Sequence, residues 1–85
     1  MPELSRFYGI VIRMHYAEHN PPHFHATYRG WTIGVDIGTL DFERAISTRA
    51  LGLVLDWAWI HQDELLEAWR RAAAGEPLGK IQPLP

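Results

Sequence analysis

The sequence predicts an α+β fold: a three- to four-stranded antiparallel β-meander with one long C-terminal helix packed on its apolar face. Residues 6–38 hold period-two segments rich in β-branched and aromatic residues, divided by turn signals. From Arg49 to Ala74 no proline interrupts a run with helical spacing. A length of 85 residues leaves room for a single core.

The elements follow in order. "RFYGIVIRMHY" (Arg6–Tyr16) alternates and reads as the first strand. "NPP" (Asn20–Pro22) ends it, because proline cannot continue a ladder and restricts the residue before it. "HFHATYRG" (His23–Gly30) alternates again, Arg29-Gly30 offers a tight turn, and "WTIGVDIG" (Trp31–Gly38) follows. Phe42 and Ile46, within "TLDFERAIS", form a short fourth strand or an ordered loop. Ser47 or Thr48 caps the helix, which spans about residues 48–74 and ends at Gly75 with Pro77 just beyond. The tail, residues 76–85, lies extended with Leu78, Ile81 and Leu84 as anchors. Residues 1–85 then make one domain.

Strand alternation assigns the faces. Tyr8, Ile10, Ile12, Met14 and Tyr16 share one face with Phe24, Ala26, Tyr28, Trp31, Ile33, Val35 and Ile37. Phe7, Arg13, His15, His23, His25, Thr27, Arg29 and Asp36 fall on the other. On the helix, Leu51, Val54, Leu55, Ala58, Trp59, Leu65, Leu66 and Trp69 form a stripe suited to the sheet. Leu53, Trp57 and Ile60 lie opposite; the tail, a second copy or another protein could cover them, and the shortness of the tail favours a protein interface.

Composition removes several functions. There is no cysteine, hence no disulfide framework and no thiolate metal site, which fits a cytosolic protein. Net charge is −2, and the two halves match: four Arg against five Asp/Glu in residues 1–47, three Arg and one Lys against five in residues 48–85. Nucleic-acid binding by bulk electrostatics has no basis in such a balance. No segment reaches the roughly 18 apolar residues of a membrane span, and "MPELSRFYG" lacks the apolar run of a secretory leader.

Chemistry concentrates in "EHNPPHFHATY" (Glu18–Tyr28), where His19, His23 and His25 fall within seven residues. In an antiparallel pair the ends joined by a loop lie side by side, so His15 should meet His23 and His25. His15, His19, His23 and His25 are therefore metal-ligand candidates for a divalent transition metal such as zinc, nickel or copper, with Glu18 or Asp36 as an oxygen ligand or supporting group. The same residues admit a metal-independent ribonuclease: one of His15, His23 and His25 as base, another as acid, and Arg13 or Arg29 on the phosphate. The third reading is structural, with partly exposed imidazoles bonding to loop backbone and water, and Pro21-Pro22 fixing the register. His61, mid-helix, reads as a core-edge histidine with one hydrogen bond.

Taken together, "RFYGIVIRM", "EHNPPHFHATY", "LDWAWIHQDELLEAW" and the closing "GKIQPL" resemble a small bacterial family, domain of unknown function 4160. The resemblance covers nearly the whole chain. It implies a cytoplasmic component of a toxin–antitoxin-like two-gene pair that acts through a protein encoded nearby. It marks His19, Asn20, Pro21, Pro22, His23 and His25 as motif positions and assigns no catalytic residue.

Overall fold

The computed structural model describes residues 2–43 and 46–85. Four strands, β1 (Glu3–Phe7), β2 (Ile10–Arg13), β3 (His23–Tyr28) and β4 (Trp31–Asp36), form one antiparallel meander in chain order. Two helices, α1 (Thr48–Ile60) and α2 (Gln62–Ala74), complete an α+β fold. No helix among the described residues is long and apolar enough to cross a membrane.

The first correction concerns the N-terminal segment. Arg6–Tyr16 is not one strand: it holds the last two residues of β1, the turn and the second arm of a hairpin that starts at Glu3. Tyr8 and Gly9 both take positive φ, 50° and 80°, as a two-residue type I′ connection requires. That loop pairs Phe7 with Ile10, so Phe7 enters the core instead of the polar face. Tyr8 is exposed, and its hydroxyl donates to the Pro85 carbonyl at 2.6 Å. The fourth strand is thus N-terminal, ahead of the expected 6–38 window. Phe42 makes an isolated bridge to Val35 and no strand; Arg44 and Ala45 lie outside the described residues. Arg29-Gly30 turns as expected, with φ 50° and 82°, and pairs Tyr28 with Trp31.

Alternation then sorts β2, β3 and β4. Ile10, Ile12, Phe24, Ala26, Ile33 and Val35 are all buried on one face. Tyr16 and Trp31 sit beyond or at the ends of strands and are exposed, not core.

The second correction is the helix. Ser47 caps it, its Oγ accepting from Ala50 N at 3.0 Å, and Gly75 closes it in the left-handed conformation at φ 73°. Between them the chain breaks at His61 (φ −112°, ψ 22°), whose N–H is shared by the Trp57 and Ala58 carbonyls. Gln62 Nε2 donates to the Ile37 carbonyl at 2.8 Å, tying the start of α2 to the end of the sheet. No glycine or proline marks this break, because it comes from that tertiary tether.

The buried stripe is Ala50, Val54, Trp57 and Ala58, continuing as Leu65, Ala68 and Ala72. It is rotated from the expected one. Trp57 is 0% exposed, its ring 5.5 Å from Phe7 and 5.8 Å from Phe24, and its Nε1 donates to the Gln82 carbonyl at 2.8 Å. Trp57 is therefore core and not interface. Leu53 packs half-buried against the core, whereas Ile60 (63% exposed) and Trp59 (71%) stand in solvent. The tail is anchored by Leu78 and Ile81, with Leu84 half-buried, and Ile81 N donates to the Leu4 carbonyl.

Two outcomes are expected in urea denaturation. Trp57→Ala removes a fully buried aromatic and should cost about 3–5 kcal/mol, a large share of a small domain's stability. Glu67, its carboxyl pulled down to about 2 by hydrogen bonds from Arg70 and then Arg71, helps the fold above the ordinary carboxylate pKa of 4.5. That help is lost as pH falls from 4.5 toward 2, so Glu67→Gln should differ from the parent at pH 6 and match it by pH 2.

Candidate functional site

The site grows from β3. With Phe24 and Ala26 in the core, His23 and His25 project from the open face. The ladder sets His25 between Arg13 of β2 and Gly34 of β4, and sets His23 beside Asp36. His15, just past the end of β2, reaches His25 edge-on at a ring separation of 4.7 Å. His23 approaches from the other side at 5.2 Å. The expected histidine group therefore forms, with His25 in the middle.

Its centre is Glu18. Its Oε1 lies 3.9 Å from His15 Nε2, 3.9 Å from His23 Nε2 and 3.6 Å from His25 Nε2. His15, Glu18 and His25 each offer a ligand atom within 4.8 Å of the others; His23 lies outside that triplet. All the separations exceed hydrogen-bond length, which ends near 3.2 Å for nitrogen and oxygen.

The rings are oriented from behind. His23 Nδ1 sits 2.8 Å from the Pro21 carbonyl. A carbonyl only accepts, so neutral His23 carries its proton on Nδ1 and keeps its lone pair on Nε2. The Asn20–Pro21 bond is cis, and Trp69 of α2 packs 5.2 Å from the His23 ring. His25 Nε2 is buried without a hydrogen-bond partner. Burial, then the neighbouring His15 and His23, hold the His25 pKa below its ordinary value, against the pull of Glu18. The result is a neutral imidazole, the form that binds metal.

The other expected residues stand outside the triplet, although His19 and Asp36 line the open cleft beside it. His19 is exposed and outside the triplet. Arg13 faces His25 across the ladder and holds no place among the ligand atoms. Asp36 turns away: its Oδ1 accepts from Gly38 N at 2.8 Å and Thr39 N at 3.0 Å, and those N–H groups, Thr39 foremost, keep its carboxyl below the usual range. His61 pairs with Glu64 at 2.6 Å in the helix break, apart from this site.

Beside the cluster lies an open cleft of about 550 Å³, reached by Glu18, His23, His25, Gly34, Asp41 and Glu43. A Cβ built on Gly34 would meet nothing within 4 Å, so the missing side chain leaves the floor beside His25 open. Asp41 and Glu43 carried no sequence signal. They arrive because the loop after β4 folds back on that strand, where Asp36 N donates to the Asp41 carbonyl.

A family model matches residues 9–70, well over half of the chain, and takes in every member of this cluster. The chain belongs to the family described as domain of unknown function (DUF4160). The DUF4160 match leaves out β1 and the tail, which flank the matched region as hairpin arm and anchor. No curated protein and no solved structure matches the chain.

Nitrogen-detected NMR of the histidines checks the arrangement. His23 should show the Nδ1-protonated tautomer, and His25 should titrate below 6.5. Because its folded pKa is lowered, the fold loses stability as pH drops from 6.5 toward that lower value. His15→Gln combined with His23→Gln should move the His25 midpoint up, and an unmoved midpoint would contradict the coupling.

Proposed function

We propose that this chain is a transition-metal-binding module with His15, His25 and Glu18 as its protein ligands. One observation carries the reading: His15 Nε2 and His25 Nε2 converge on one Glu18 oxygen at 3.9 and 3.6 Å. Bonds of about 2.0–2.1 Å to a tetrahedral zinc put neighbouring ligand atoms roughly 3.3 Å apart. From the spacing seen, the two contacts to Glu18 close by about 0.6 and 0.3 Å, and the two imidazole nitrogens, within 4.8 Å of each other, draw in around the ion. Two imidazoles and a carboxylate suit zinc first, and also nickel, copper or iron. The His25 nitrogen that lacks any partner is the one that gains most from an ion.

Untagged protein loaded with zinc or cobalt and then desalted should retain about one metal per chain. His15→Ala and His25→Ala should each abolish retention, Glu18→Gln should weaken it by about tenfold or more, and His19→Ala and His61→Ala should leave it unchanged. Retention below about 0.1 per chain in the parent would refute the proposal.

A second reading concerns partners. Trp59 and Ile60, consecutive residues at the end of α1, are both largely exposed, and exposed large apolar residues are a usual mark of protein docking. Taken with what the family resemblance implies, this patch supports a cytoplasmic bacterial two-gene module of toxin–antitoxin type, in which the product of an adjacent gene covers it. Co-expression with the neighbouring gene should give a stable complex that Trp59→Ser with Ile60→Ser disrupts. If the doubly substituted chain co-purifies as well as the parent, the patch is not the interface. The ribonuclease reading has less support, because Asp41 and Glu43 beside the histidines repel the phosphate that such chemistry must hold.

A further inference from the structure

We propose that the metal site has a coordination position open to the cleft, and that this position takes a small neutral or cationic ligand in preference to an anion. The inference rests on the metal reading above.

The openness follows from where the ligands come from. His15 and His25 reach the site from the open face of the sheet, and Glu18 from the loop between β2 and β3. The cleft is bounded by His25 and Glu18 but not by His15, so it meets the site from one side only. A metal held by these three residues would keep room for a further ligand, and the cleft is the open space beside it, as in zinc sites with an exchangeable fourth position. Gly34 keeps the floor clear, since any side chain there would begin beside His25.

His23 is the imidazole nearest the triplet, and its ring is already committed. Its Nε2 lies 3.9 Å from Glu18 Oε1 but outside the triplet, and the ring is held there by its 2.8 Å bond to the Pro21 carbonyl and backed by Trp69. Held there, His23 presents a lone pair at the cleft wall, an acceptor for an N–H or O–H of whatever occupies the open position.

Charge supplies the ligand class. Glu18, Asp36, Asp41 and Glu43 all line the cleft, and among the described residues no lysine or arginine does. Glu18 is used up by the metal and Asp36 is partly satisfied by its two backbone donors. Asp41 and Glu43 remain exposed at the mouth. A ligand that gives the metal a neutral donor atom and carries positive charge at its outer end meets both requirements, whether it is a free amine-bearing molecule or a basic side chain.

Cobalt-loaded protein tests this with three ligands that share one pyridine donor: pyridine, 4-(aminomethyl)pyridine and pyridine-4-carboxylate. Visible absorption should shift with the first two, and the cationic ligand should bind at least about fivefold more tightly than the anionic one, as expected for a partly screened charge near two carboxylates. Asp41→Asn with Glu43→Gln should collapse that ratio while leaving cobalt content unchanged. A parent chain that takes up no cobalt overturns both this proposal and the metal reading. Cobalt uptake with a spectrum indifferent to all three ligands overturns the open position alone and identifies a closed site, with His23→Ala then restoring the response. Tighter binding of the anion, or a ratio that the double substitution does not move, overturns the charge selection.

Discussion

Everything in this domain depends on which way β3 faces. One strand of six residues sends Phe24 and Ala26 into the core and His23 and His25 to the open face. Phe24 meets Trp57 edge-on at 5.8 Å, so the helix layer fixes the strand's orientation. A slip of one residue would bury imidazoles and expose phenylalanine, with the loss of both core and site. Fold and site therefore share one constraint. The residues that hold the sheet to the helices are the same ones that aim the histidines.

Trp57 extends that constraint to the rest of the chain. Its ring joins Phe7 of β1 to Phe24 of β3, and its N–H is satisfied by the tail at Gln82. A buried indole N–H needs a partner, and here the partner comes from a segment with no regular structure of its own. The tail in turn bonds β1 through Ile81 and Leu4, and Lys80 Nζ donates to the Glu3 carbonyl. A domain of this size gains from every such closure, since its core alone is small.

What the sequence made legible follows from which signals are local. Strand alternation is local, so the core residues of β2, β3 and β4 and the histidine face could be read directly, as could the Ser47 and Gly75 caps. The Tyr8-Gly9 turn was hidden because its residues continue an apolar alternation, and tyrosine is an uncommon residue at positive φ. The break at His61 and the burial of Trp57 rest on distant partners, Ile37 and Gln82, that no spacing rule contains. The same holds at the site. The meeting of the histidines is a consequence of strand pairing, but the convergence on Glu18 and the arrival of Asp41 and Glu43 depend on loop paths.

The geometry around Glu18 also bears on what kind of charge belongs there. A proton binds along a line between two atoms and draws them to about 2.6–3.2 Å, as it does between His61 and Glu64 at 2.6 Å. No histidine at the site makes such a bond to Glu18. The separations are 3.6, 3.9 and 3.9 Å, nearly equal and all too long. His15, His25 and Glu18 instead bring three lone-pair donors within 4.8 Å of one another. Protonating one imidazole would favour one short pair and leave the others unsatisfied. It would also bring positive charge beside His25, where burial and its neighbours already disfavour it. A single divalent ion answers several lone pairs at once without adding a proton to any of them, so the arrangement fits a cation better than an acid–base pair.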